Sequence, residues 1–170
     1  TPCPEYDVAA LRGHILAWVP MFAAALSDRD GTGPRPDTEG YAPPDDPRAA
    51  ADEVRRSAAT IRDALADGAA DRPVRLLGDQ PLQGSVVVSM LGAEVIAHGW
   101  DLASATGLRW NPPEEAVDAA AGIMGGMLQP EFRGEGKPFG VEVTVPDDAS
   151  PLDKLIGFSG RDPNWKAPVR

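Results

Sequence analysis

The chain has very little cysteine and histidine. Cys3 is the only cysteine among 170 residues, which excludes an intrachain disulfide and a thiolate metal cage. Histidine occurs twice, as His14 and His98, so any imidazole chemistry rests on those two rings. Basic residues are outnumbered by acidic ones, 16 to 26, for a formal charge of −10. Phosphate neutralisation needs clustered Lys and Arg, so no nucleic-acid partner is expected. No window reads as the roughly 20 apolar residues of a membrane span, and no charged-then-apolar signal peptide opens the chain. The expectation is a cytoplasmic protein with no membrane partner. There is no HExxH helix, phosphate-cradling loop or dinucleotide fingerprint, and no Ser-His-Asp or Cys-His arrangement. What is present is an ordinary globular balance, 42% hydrophobic and 25% charged residues, enough for one domain over 1–170. A start at Thr1 instead of Met is expected to reflect upstream sequence that was removed or is not shown.

Gly and Pro cluster into breaks. The first, Gly31-Thr32-Gly33-Pro34-Arg35-Pro36 on to Pro43-Pro44, reads as a loop of roughly 20 residues, long enough to be disordered or a lid. Others fall at Asp71-Arg72-Pro73 with Gly78-Asp79-Gln80-Pro81, at Asn111-Pro112-Pro113, and at Arg133 to Pro138. Between them lie helical patterns. The first runs from about Asp7, a plausible N-cap, to Leu26. Its stripe is Val8, Leu11, Ile15, Trp18, Phe22 and Leu26, and Pro20 should kink it. The second, about Pro47 to Ala66, carries Val54, Ala58, Ile61 and Leu65. The third runs from about Gly84 to Thr106. The fourth, about Pro113 to Leu128, is lined by Val117, Ala121, Met124 and Leu128. A short fifth runs from Pro151 to Phe158 with Ser150 as N-cap. Val141 to Val145 alternates like a short edge strand or extended segment. The predicted class is all-α, an antiparallel four-helix bundle with a long loop and a short C-terminal extended segment plus helix.

Glu94 and His98 are four apart on the third helix, which stacks their side chains on one face. His14, on the first helix, is the remaining imidazole and the candidate third ligand. Two ligands from one helix and one from a neighbour cap a divalent cation and leave a position open, the catalytic arrangement for zinc. Nickel and iron accept the same N/O donors, and geometry decides among them. The plainer alternative is a hydrogen-bonded core histidine, because Glu-x-x-x-His pairs arise by chance. Against it stands the apolar stretch around Glu94, where a carboxylate is costly without a partner. Asp101 is placed either as an acceptor for a ligand imidazole or on the polar side of its helix. Cys3, between Pro2 and Pro4, reads as a small buried residue before a nucleophile. Trp18, Trp100 and Trp110 line either a pocket or the core. The Gly122 to Met127 run lies within a helix and reads as a site of close helix approach.

Thr1-Pro2-Cys3-Pro4-Glu5-Tyr6-Asp7-Val8, followed by Leu11-Arg12-Gly13-His14, resembles the opening motif of the metal-binding domain of mycothiol-dependent maleylpyruvate isomerase and its DinB-like relatives. Glu94 to Ala103, with its His-Gly-Trp-Asp-Leu core, resembles the second motif. Phe139 to Val143 and Gly160 to Pro163 resemble a short actinobacterial branch. The resemblance implies a four-helix bundle holding a divalent metal, usually zinc, on His14, Glu94 and His98. It also implies a low-molecular-weight thiol such as mycothiol, held as a thiolate that attacks an electrophile in transfer or isomerisation. The family usually has one more helix before this opening segment, and the isomerase has a further C-terminal domain; neither is present in the 170 residues. The leading expectation is therefore a metal-dependent thiol S-transferase or isomerase-like enzyme, monomer or homodimer, whose partners are a thiol and a small electrophile. A non-catalytic ligand-binding bundle and a thiol-free Lewis-acid enzyme of secondary metabolism are the alternatives.

Overall fold

The computed structural model describes residues 1–137 and 139–168, without the side chain of Met127. Pro138, the end of the fourth break, and the side chain of Met127, at the end of the glycine-rich run, therefore lie outside what is described. Among the described residues the fold is mostly helical: α1 (Val8–Ser27), α2 (Pro47–Ala66), α3 (Gly84–Thr106), α4 (Glu114–Met127) and α5 (Pro151–Phe158). All five expected helices form, each within a residue or so of its expected ends. α1 passes through Pro20 as one element. α2 starts on the Asp46 carboxylate, which accepts from the Arg48 amide, with Pro47 in the first turn. α5 starts the same way, with Ser150 accepting from Asp153 N–H and Pro151 following. The break at 71–81 holds a short pair that the sequence reading missed, β1 (Pro73–Val74) antiparallel to β2 (Leu82–Gln83). Val141 to Val145 forms no strand; Val143 N–H donates to Gly157 O at 2.9 Å.

The chain divides into two compact units, Ala9–Leu91 and Thr1–Val8 with Gly92–Arg170. The first buries Met21, Phe22 and Leu26 of α1, Ala64 of α2, Val74 of β1 and Val87 of α3 in one core, with Trp18, Ile61 and Leu91 packed against it. α1 is apolar on nearly all sides and is buried well beyond its expected stripe, at Leu16, Ala17, Val19 and Ala23 as well. The seam of α2 is rotated from the expected one. Ala50, Ser57 and Ala64 are buried, whereas Ala58 is exposed, so the small residues at seven-residue steps face inward. Gly84 opens α3 where a Cβ would lie 1.8 Å from Ala69 O, and its amide donates to Arg72 O at 2.9 Å. Only glycine fits that junction.

The long loop after α1 is tied down. Arg35 donates from Nε and Nη2 to Arg75 O at 3.0 and 2.6 Å and from Nη1 to Asp28 at 2.9 Å. Arg75 returns Nη2 to Gly33 O at 2.8 Å. Farther along, Tyr41 donates to Glu53 at 2.7 Å, Arg12 donates to Pro44 O, and Pro43 lies against Gly13. The loop thus ends on the stretch of α1 that carries His14.

The second unit is built on Ile96, Val117, Ala120, Met124, Leu128 and Leu155. In α4, Ala120 is buried and Ala121 exposed, one position off the expected stripe. Gly122, Gly125 and Gly126 face open space, with nothing within 4 Å of an added Cβ; the expected close helix approach there is absent. Two helices, Val8–Ser27 and Gly84–Thr106, are long and apolar enough to cross a bilayer by length and composition, which corrects the sequence reading that no window qualifies. Both feed the cores just described, and a buried core helix has the same composition.

Candidate metal centre

Glu94, His98 and Asp101 occupy one face of α3. At three- and four-residue spacings their side chains meet. His98 Nε2 stands 3.5 Å from Glu94 Oε1, and His98 Nδ1 is 3.0 Å from Asp101 Oδ2. The side chain of Asp101 is fully buried, that of His98 is 12% exposed and that of Glu94 is 29% exposed. The polarity of the face therefore grades from a sealed base to an accessible rim. Burial alone would push the Asp101 carboxyl up, but the hydrogen bonds from His98 and Arg161 outweigh it and hold the group below its ordinary value. Asp101 is thus a carboxylate, and His98 donates to it from Nδ1. That bond fixes the tautomer and turns Nε2 toward Glu94.

The geometry suits a cation. Two donors each about 2.0–2.1 Å from a tetrahedral zinc lie about 3.4 Å apart, close to the observed 3.5 Å edge. That edge is too long for a good hydrogen bond. An imidazole Nε2 beside a carboxylate oxygen, with the far ring nitrogen bonded to a second carboxylate, is the usual arrangement of a metal-binding histidine. The donor set, nitrogen and oxygen without sulfur, fits zinc, nickel or iron.

Arg161, which sequence reasoning missed, closes the base. Its Nε donates to both Asp101 oxygens at 2.8 and 2.9 Å, and Nη2 donates to Oδ2 at 2.8 Å. The signal was half present: a buried carboxylate requires a cation, but the sequence does not say which one. Tyr6 packs edge-on against His98, ring centroids 6.0 Å apart at 80°. Gly99 lets the Trp110 ring lie close on α3: a Cβ there would meet that ring at 2.4 Å and push it aside. Of the three tryptophans weighed above as pocket or core, Trp100 is buried and Trp18 packs against the α1 core, while the Trp110 ring lies over Gly99, beside His98. Cys3 is buried. Burial is the main cause that raises its thiol pKa, and the Arg161 charge only partly opposes this, so it is no activated nucleophile. His14 lies on α1 in the other unit, half-buried, its ring 6.0 Å from that of Trp18.

Both tyrosines are held un-ionised. Burial first, then the bond to the Glu53 carboxylate, pushes Tyr41 up to about 12. Burial and then the Glu5 charge raise Tyr6. Each raised value adds stability in full below about pH 10, the ordinary tyrosine pKa, and that contribution is lost as pH climbs through the folded value. Phenolate absorbance is therefore expected to rise at higher pH in folded protein than in the unfolded chain.

Residues 1–103 match the family described as the mycothiol maleylpyruvate isomerase N-terminal domain. The chain belongs to this family, a mycothiol-associated group of metal-binding domains. It is 32% identical over 165 residues, 95% of this chain and 82% of each relative, to uncharacterized proteins of two Mycobacterium tuberculosis strains, CDC 1551 / Oshkosh and H37Rv. No solved structure is significantly similar to it.

Proposed function

We propose that the chain is a metal-dependent enzyme that presents a low-molecular-weight thiol, mycothiol or a close analogue, as a thiolate to a small electrophile, for transfer or isomerisation. His14, Glu94 and His98 hold the cation, zinc before nickel or iron, within one DinB-like domain whose main helices form an antiparallel bundle. The observation that carries this reading is the 3.5 Å Glu94–His98 edge backed by Asp101. The family membership and the first-motif position of His14 support the third ligand.

A divalent cation bound there would hold a coordinated thiol deprotonated. The chain's own residues do the rest. Asp101 keeps the His98 ring in its ligating tautomer, Glu94 offsets the cation's charge, and the Tyr41–Pro44 end of the loop edges the His14 side. No side-chain nucleophile is required, in keeping with the buried Cys3. A cytoplasmic setting, where thiols stay reduced, goes with this chemistry.

The test is elemental analysis of protein purified with zinc supplied, joined to an assay of a generic electrophile with and without mycothiol. Stoichiometric metal and mycothiol-dependent turnover are expected. Metal-loaded protein that turns over without thiol would point to Lewis-acid chemistry. A metal-free protein stabilised only by apolar ligands would point to a binding bundle.

A further inference from the structure

We propose that Arg161 is a positioning residue of the metal centre. Through Asp101 it fixes the ring of His98, so the segment after α5 is a working part of a site whose family match ends at residue 103. The inference rests on the reading of His98 as a ligand.

Arg161 is placed by the way α5 ends. Gly160 takes the left-handed conformation at φ +86°. Its amide donates to Gly157 O at 2.9 Å, and the Arg161 amide donates to Ile156 O at 3.1 Å. These are the two bonds of a Schellman cap, which sets the direction of residue 161. Gly160 cannot be replaced cheaply, since its φ is strained for other residues and an added Cβ would come within 2.6 Å of the Gly140 backbone. Ser159, itself bonded to Ile156 O at 2.7 Å, accepts from Arg161 Nη1 at 3.2 Å. The guanidinium is thus steadied on one side by the cap and spends its other donors on Asp101.

The consequence reaches His98. The last torsion of a histidine is broad, and a carboxylate with one partner can turn to follow it. Asp101 has no such freedom: both oxygens are engaged by a planar fork, which fixes the carboxylate plane as well as its position. The Nδ1–H of His98 then has one place to point, and Nε2 is aimed along the Glu94 edge. Lysine would supply the charge without the fork.

The experiment is cobalt(II) and zinc binding to the full chain by chelator competition, with the visible cobalt spectrum recorded for wild type, Arg161→Lys, Arg161→Gln, Asp101→Asn and Arg161→Gln with Asp101→Asn. Partners of a ligating histidine are typically worth about 10–100-fold in metal affinity. Arg161→Gln is expected near the lower end of that range, and Arg161→Lys, which keeps the charge and the fold, is expected to alter the cobalt bands. In the Asp101→Asn background, Arg161→Gln should cost little more, because the two act in series. Metal-loaded wild type with an Arg161→Lys protein of identical spectrum and affinity overturns the inference, as do Arg161 and Asp101 effects that simply multiply. Wild type that takes up neither metal overturns the ligand reading itself, and this inference with it.

Discussion

His98→Ala is expected to abolish stoichiometric metal binding and all thiol-dependent turnover while leaving the helices formed. The substitution removes the residue that ties the rim to the base, since His98 faces Glu94 at one nitrogen and Asp101 at the other. Loss of a residue that only backs a ligand already costs about 10–100-fold in metal affinity, so loss of the ligand should cost more than about 100-fold. The readout need not be activity. A cation present at about 100 times its dissociation constant stabilises the folded state by about 2.7 kcal/mol. For a chain of 170 residues this raises Tm by about 5–10 °C. Zinc should produce that shift in wild type and none in His98→Ala. Glu94→Gln, which keeps the shape but drops the charge, should fall between them. Equal zinc shifts in wild type and His98→Ala would remove His98 from the ligand set.

Much of this was legible in the sequence, for physical reasons that differ element by element. The helices were legible because their ends carry strong local signals. Asp46-Pro47 and Ser150-Pro151 satisfy the first amides through one side chain and omit another amide by means of proline. Which face of a helix turns inward is a tertiary matter, and there the reading slipped. α2 packs Ile61 and Leu65 of its expected stripe against the core, yet its fully buried positions are Ala50, Ser57 and Ala64, a shift of seam that the spacing of its larger residues does not show. Ala120 in place of Ala121 is the same error in miniature.

The candidate face of α3 was legible in its spacing because its residues are neighbours in sequence: helical periodicity stacks Glu94, His98 and Asp101, though it left open which way Asp101 points. The base of the site was not. Arg161 is 60 residues beyond Asp101, and periodicity has no reach over such a distance. A reader could infer that a buried Asp101 needs a cation, and that Gly160 after a short helix marks a cap, without a rule that joins the two. The same limit hid β1 and β2, two-residue strands too short to show alternation.

Asp101→Ala is the substitution expected to cost the fold most. The wild-type carboxylate has no solvent exposure and accepts from His98 at 3.0 Å and three times from Arg161 at 2.8 to 2.9 Å. Alanine leaves a guanidinium that is only 10% exposed without its counter-charge, together with an imidazole N–H facing the gap. Removing one member of a buried pair typically costs about 3–5 kcal/mol, mostly as the penalty for the charge left behind. Asp101→Asn, which still offers one acceptor oxygen, should cost less, and Asp101→Ala with Arg161→Met should recover part of the loss, because the stranded charge has gone. The pH dependence has a fixed sign. The Asp101 carboxyl is depressed in the folded protein, so its contribution is complete above the ordinary carboxylate value of about 3.9 and disappears as pH falls through the folded value. The stability gap between wild type and Asp101→Ala should therefore be widest near neutrality and close on acidification below about pH 4. A gap that stays constant down that limb would mean that the ion pair with Arg161 contributes nothing, and that Asp101→Ala acts through lost packing alone.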